Sequence, residues 1–184
     1  MYKRQLEDCA RDGQFLLTMD DAGYPARLRN IYDPPLLLYG KGSLPLFDDE
    51  VAVTVVGTRD CTPYGVRAAS QLGYELARQG ALLVSGMAKG IDGAAMRGAL
   101  QAGGFTAAVL GGGVDVVYPA ENRRLYEDIA ATGVLLSEYP PGTEPLPGHF
   151  PVRNRIISGL SLASLVVELS LIHISEPTRL GMIS

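Results

Sequence analysis

The sequence predicts an α/β protein: a Rossmann-like parallel sheet with helices on both faces. Three observations predict it. From residue 51 onward, short apolar runs alternate with longer segments of helical spacing. The runs are apolar almost throughout, as strands covered on both faces are. The glycine-bearing stretches at residues 57–59, 85–92 and 111–113 each directly follow one of those runs. Together these features give βαβ units with right-handed crossovers.

The elements follow in order. VAVTVV at residues 51–56 is a β-branched strand run that closes at Gly57. Residues 63–79 have helical spacing, with Pro63 suited to the first turn. Residues 81–84 form the second strand, closing at Ser85-Gly86, and residues 91–102 the second helix, ended by Gly103-Gly104. Residues 106–110 are the third strand, followed by Gly111-Gly112-Gly113. Residues 121–131 are the third helix, and residues 134–136 the fourth strand, ending at Ser137-Glu138. Residues 151–162 read as partly helical and residues 165–167 as a fifth strand. The sheet domain is therefore expected over residues 51–168. Residues 1–50 differ: DDAGYPARLRNIYDPPLLLYGKGSLP is rich in Pro, Gly and Tyr. It is expected to be a small irregular lead-in packed on the sheet.

A chain of 184 residues suffices for one such domain plus an appendage. Its formal net charge of -4 argues against a protein that coats nucleic acid, so any such site must be a local basic pocket. Cys9 and Cys61 are isolated thiols without a CxxC or nearby His, implying neither zinc nor a disulfide framework. No apolar run is long enough to span a bilayer, and the start MYKRQLEDCARDG has no h-region. A cytoplasmic setting is the expectation. SLIHISEPTRLGMIS at residues 170–184 resembles the translation of a transposase adapter, and YKRQ at residues 2–5 resembles the same adapter read on the opposite strand. Residues 1–5 and 169–184 are therefore read as foreign, and His173 carries no weight.

In open α/β sheets, ligands bind beyond the carboxyl ends of the strands, where strand order reverses. Gly57-Thr58-Arg59 follows the first strand. Ser85-Gly86, Lys89-Gly90 and Asp92 follow the second, Gly111-Gly112-Gly113 and Asp115 the third, and Glu138 the fourth. Glycines let backbone amides approach an anion, and helix N-termini add positive dipoles. Arg59 and Lys89 are expected to aim at the same crevice, giving a phosphate-binding rim. Neither GxGxxG nor GxxxxGK[ST] is present.

The stretch FPVRNRIISGLS at residues 150–161 sharpens this. Phe150, Arg153, Asn154 and Arg155 stand together, and no acidic residue lies between Glu144 and Glu168. A planar ring beside guanidinium groups suits unpaired bases and their phosphates. The competing reading is a loop whose arginines pair with distant carboxylates. Asp92 and Asp115 read as acid–base candidates or, more simply, as caps on exposed amides. Arg123 and Arg124 read first as a solvated helix face and second as phosphate contacts. His149 stands alone, and no metal-ligand spacing or nucleophile–His–acid set is present.

Seven collinear blocks carry a family resemblance: YPARL at 24–28, DPPLLLYGKG at 33–42, VVGTR at 55–59, SGMAKGID at 85–92, GGGVDVVYPAEN at 111–122, SEYPPGTEP at 137–145 and FPVRNRIISGLS at 150–161. Together they resemble the DprA/Smf family of bacterial DNA-processing proteins. The resemblance implies a homodimeric single-stranded DNA binder, not an enzyme, without cofactor or metal. It implies delivery of incoming strands to a RecA-type recombinase in natural transformation. It assigns a phosphate grip to Arg59 with contacts from Gly57 and Thr58 beside it. A second phosphate falls to Lys89, base stacking to Phe150, and strand contact to Arg153, Asn154 and Arg155. One of those arginines has a structural alternative, pairing with Glu138 or Asp92. The chain departs from the family at Ala120, where some relatives carry a basic residue, and after Glu168, where the family pattern continues with a serine-rich helix and another strand, so the resemblance implies that the C-terminal edge of the sheet is missing. Dimer and recombinase contacts are expected near that missing part. Nucleotide phosphoribohydrolases are a second reading, but they carry PGGxGTxxE where residues 111–118 read GGGVDVVY. A small-nucleotide sensor is a third.

Overall fold

The computed structural model describes residues 11–169. Seven strands form one sheet, in the order β1-β2-β6-β5-β4-β3-β7. They are β1 (Gln14–Thr18), β2 (Leu37–Gly42), β3 (Ala52–Gly57), β4 (Leu82–Ser85), β5 (Thr106–Val109), β6 (Val134–Ser137) and β7 (Ala163–Val167). The helices are α1 (Ala26–Arg29), α2 (Pro63–Arg78), α3 (Ile91–Gln101), α4 (Arg123–Thr132) and α5 (His149–Leu160). Strands β3 to β7 are mutually parallel, as expected.

One expectation needs correction. The lead-in is not irregular: it supplies β1 and β2, which pair antiparallel with each other and then with β6. The sheet is therefore mixed. Its turn-rich composition belongs to the connections, while Leu37, Leu38 and Tyr39 form a short strand between the Pro34-Pro35 and Gly42 punctuation. Tyr24 is buried in this region and donates its hydroxyl to the Pro35 carbonyl at 2.7 Å.

Two cores hold the layers. On one face, α2, α3 and α4 cover Val55, Leu83, Ala108 and Leu135. On the other, α1 and α5 cover Val84, Ala107, Val109 and Leu136. The pleat explains the split, since alternate residues of one strand face opposite sides. Helix α2 begins as its sequence suggests: Pro63 occupies the first turn, and Thr62 Oγ1 accepts from the Gly65 amide at 3.0 Å. Helix α5 starts two residues earlier than expected, at His149, and brings Phe150 onto its first turn.

Strand β3 lies between β4 and β7, so chain order reverses beside it. That reversal places the β3 loop, the β4 loop and the start of α5 at one end of the sheet. Among the described residues, no helix is long and apolar enough to cross a membrane. Cys61 is a half-buried free thiol. Cys9, His173 and the termini read as foreign lie outside the described residues, apart from residue 169.

Candidate nucleic-acid interface

The carboxyl ends of β3, β4 and β5 and the first turn of α5 enclose a crevice of about 130 Å³. Its lining includes Arg59, Gly86, Lys89, Gly111, Gly112, Tyr118, Phe150 and Arg153. A shallower trough continues outward along Arg59, Tyr118, Pro145, Pro147, Phe150, Pro151 and Asn154. The crevice is smaller than the several hundred Å³ that enclose a whole small-molecule ligand. It has room for one chemical group, with the rest of any ligand lying in the trough.

The outer wall is cationic and aromatic. Arg59 and Lys89 are exposed. The Arg59 guanidinium sits 5.3 Å from the centroid of the Phe150 ring, a cation–π distance. Tyr118 lies 5.5 Å from the same ring, tilted by 31°, and is about half exposed. Asn154 is exposed on the next turn of α5.

The other two arginines of the stretch turn inward. Arg153 is 5% exposed. Its Nη1 donates to the Gly86 carbonyl at 2.9 Å and to the Val109 carbonyl, and its guanidinium lies 5.8 Å from the Phe150 centroid. Burial pulls its pKa down to about 10, against the pull of Asp92 in the other direction, so it stays charged at neutral pH. Arg155 reaches the opposite way. Its Nε donates to Asp33 at 2.9 Å and its Nη2 to Glu138 at 2.7 Å, while Nη1 meets the Val152 carbonyl at 3.3 Å. Burial opposes its charge, but Glu138 and Asp33 outweigh that and hold its pKa above the ordinary value. Neither arginine offers a free fork to a phosphate in this structure. The structural pairing weighed for one of them holds for Arg155 with Glu138.

The glycines are spent largely on the protein's own close contacts. A Cβ on Gly86 would stand 2.5 Å from the Arg153 guanidinium, and one on Gly111 would stand 2.9 Å from the Phe150 ring. Gly90 has φ +80, and a Cβ there would meet the Thr58 and Arg59 carbonyls. A Cβ on Gly57 would run into the Val167 carbonyl, and one on Gly112 into the Thr143 carbonyl at 2.9 Å. Thr58 is buried, its amide donating to the Glu168 carbonyl at 2.9 Å and its carbonyl accepting from Ile91. These contacts fix the backbone that carries Arg59.

The remaining candidates brace the rim rather than line it. Ser85 is buried and donates to the Val55 carbonyl at 2.9 Å, tying β4 to β3. Asp92 is buried. Desolvation pushes its pKa up, against the pull of Arg153, the Ser85 hydroxyl and the backbone at Ala88 and Gly86. The Gly113 amide donates to the Thr143 carbonyl, and the Gly142 amide donates to Asp115 Oδ1 at 2.8 Å. Both contacts hold the proline-rich loop before α5.

Two residues without an assigned role belong here. Tyr118 adds a second ring, and its signal was an aromatic side chain just after a glycine-rich strand end. His149 stacks on Tyr139 with centroids 4.0 Å apart, and its Nδ1 is 2.9 Å from the Gly111 carbonyl. It anchors α5 to the third glycine loop, a contact with no local sequence signal.

Comparison with known proteins places this geometry. The family model for DNA recombination-mediator protein A matches residues 15–172. The DNA processing protein DprA of Bacillus subtilis is 45% identical over 145 residues, covering 79% of this chain and 49% of that protein. Its counterpart from Streptococcus pneumoniae is 47% identical over 150 residues, covering 82% and 52%. The chain thus spans about half the length of these relatives. The X-ray structure of Streptococcus pneumoniae DprA superposes with a TM-score of 0.84 at 41% identity, over 92% of this chain and 57% of that one. Helicobacter pylori DNA processing protein A, whose structure was described for its single-stranded DNA binding mode, superposes with a TM-score of 0.76 at 34% identity. That match covers 85% of this chain and 70% of that one. On this extent of match, the chain belongs to the DNA recombination-mediator protein A family, the DprA/Smf proteins.

Proposed function

We propose that this chain binds single-stranded DNA along the trough from Lys89 and Arg59 past Tyr118 and Phe150 to Asn154. The observation that carries the reading is the exposed Arg59 guanidinium over the Phe150 ring, with Tyr118 beside it. An exposed cation next to two partly exposed rings offers phosphate neutralisation and a stacking face within one nucleotide's reach. Duplex DNA hides its base faces and cannot use the rings. The Helicobacter pylori relative described as a single-strand binder supports the same reading. Gly57 and Thr58 serve by fixing the Arg59 backbone. The role is binding, without chemical change to the strand. In the whole protein, acting in the cytoplasm as a homodimer, the bound strand passes to a RecA-type recombinase during natural transformation.

The test is a titration of labelled oligo-dT, a duplex of equal length, and AMP at several salt concentrations. Oligo-dT should bind with log K falling against log salt by about 0.7 per phosphate contacted. Arg59→Ala should lower that slope by about one contact. Hydrolysis of AMP without oligonucleotide binding would sink the proposal in favour of a phosphoribohydrolase. Tight AMP binding without cleavage and without oligonucleotide binding would favour a nucleotide sensor.

A further inference from the structure

We infer that Arg153 is a positioning residue of this site: a buried cation that fixes the crevice floor and the Phe150 ring without touching a phosphate. The inference rests on the strand-binding reading above. Arg153 lines the crevice, yet it is 5% exposed. Its Nη1 reaches carbonyls at the ends of two neighbouring strands, Gly86 after β4 and Val109 of β5. Such charge-assisted bonds are strong and directional, so one side chain sets the spacing of two loops. Gly86 has no Cβ, and the guanidinium fills the space that a Cβ would take. The Nε is buried without a partner. The groups facing the guanidinium are Asp92 of α3, Tyr139, Arg59 and the Phe150 ring.

Phe150 and Arg153 are three positions apart on α5, so they share a helix face. The face of the ring therefore depends on where the guanidinium is anchored. Two cations address one ring: Arg59 from the exposed rim at 5.3 Å, and Arg153 from the interior at 5.8 Å. Arg59 is exposed and can turn to a phosphate. Arg153, held by the two carbonyls, stays where it is. The division of labour is a mobile contact outside and a fixed support inside.

The slope of log K against log salt separates support from contact, because only a phosphate contact changes the number of counterions released. Three variants are measured on oligo-dT, each checked by circular dichroism and thermal melting. Arg153→Met should weaken binding about tenfold while the slope stays within about 0.2 of wild type. Arg153→Lys keeps the charge but loses the planar fork, and should bind nearly as weakly as the Met variant. Gly86→Ala leaves Arg153 in place chemically but crowds it, and should also weaken binding at unchanged slope. If Arg153→Met fails to fold, the Lys and Ala variants carry the test alone. A slope lowered by about 0.7 in Arg153→Met and restored in Arg153→Lys would make Arg153 a direct contact and overturn the inference. So would wild-type affinity in all three. Absence of salt-dependent oligo-dT binding by the wild type would instead overturn the strand-binding reading, and this inference with it.

Discussion

Replacing Arg155 by Met separates two roles that the RNR stretch could play. In the structure, Arg155 bridges Glu138, at the end of β6, to Asp33 in the loop before β2. The pair with Glu138 is the stronger: the bond is 2.7 Å, and the two side chains are only 22% and 28% exposed. Asp33 is 68% exposed, so its pair contributes at most about 1 kcal/mol. Removing the arginine also strands a partly buried Glu138 carboxylate, a cost that reaches 3–5 kcal/mol only for fully buried pairs. An intermediate loss of about 2 kcal/mol is expected for the variant. For a domain of this size that is a fall in Tm of about 4–8 °C. Meanwhile the slope of log K against log salt for oligo-dT should not change, because no phosphate contact is removed. Calorimetry and salt-dependent anisotropy on the same preparation provide both numbers. A variant that melts within about 1 °C of wild type while its slope falls by about 0.7 would refute this reasoning. It would return Arg155 to the DNA. Adding Glu138→Gln to the Met variant should recover part of the lost stability, since the stranded charge is then gone.

Two further outcomes follow from the geometry. Phe150→Ala should weaken oligo-dT binding by about 1–3 kcal/mol at unchanged salt slope, because a stacking face is lost and no cation is; a slope change in anisotropy would count against this. Asp48 accepts from the Ala26 amide at 2.6 Å and the Arg27 amide at 3.2 Å, capping α1 from more than twenty residues away. Asp48→Ala should cost about 1 kcal/mol at pH 7. Burial is the largest single influence and raises the Asp48 pKa, but the two amides and the Arg27 side chain together outweigh it and hold it below the ordinary value. Its contribution is therefore present above about pH 4 and lost as pH falls through the lower folded value. Melting curves of the two proteins should converge in acid, and a gap that widens instead would refute the assignment.

The strands and helices from residue 52 onward were legible because each satisfies its own periodicity. Four-residue runs such as Leu82–Ser85 are buried throughout, which is what a parallel sheet covered on both faces demands. The N-terminal strands were not legible. Tyr39 and Gly40 pair across to Ser137 and Leu136, nearly a hundred residues away. Their strand character comes from that partner, while the local composition is that of turns. The positions of the glycine loops were legible, but their use was not. A glycine announces that something comes close to the backbone. It does not announce whether that something is a phosphate or the protein itself. At Gly86 it is Arg153, at Gly111 the ring of Phe150, and at Gly90 the carbonyl of Thr58.

The arginine stretch held more information than its composition suggests, and the helical period is what releases it. Along α5 the buried side chains are Arg153, Ile156, Ile157 and Leu160, with half-buried His149 one turn before them. That is the i, i+3, i+4, i+7 stripe of a helix facing a core. Asn154 falls off the stripe and is exposed. A cation on an apolar stripe must bring partners with it, because burying an unpaired charge is prohibitive. Carbonyls at strand ends are suitable partners, since their ladder bonds have run out there. Read in this way, three consecutive polar residues divide by direction. Arg153 points into the floor, Asn154 into the trough and Arg155 along the flank toward Glu138. Composition groups the three as one basic patch, but only Asn154 among them faces the trough. In the proposed strand-binding reading, phosphate contacts accordingly fall to Arg59 and Lys89, exposed cations on loops rather than on the helix.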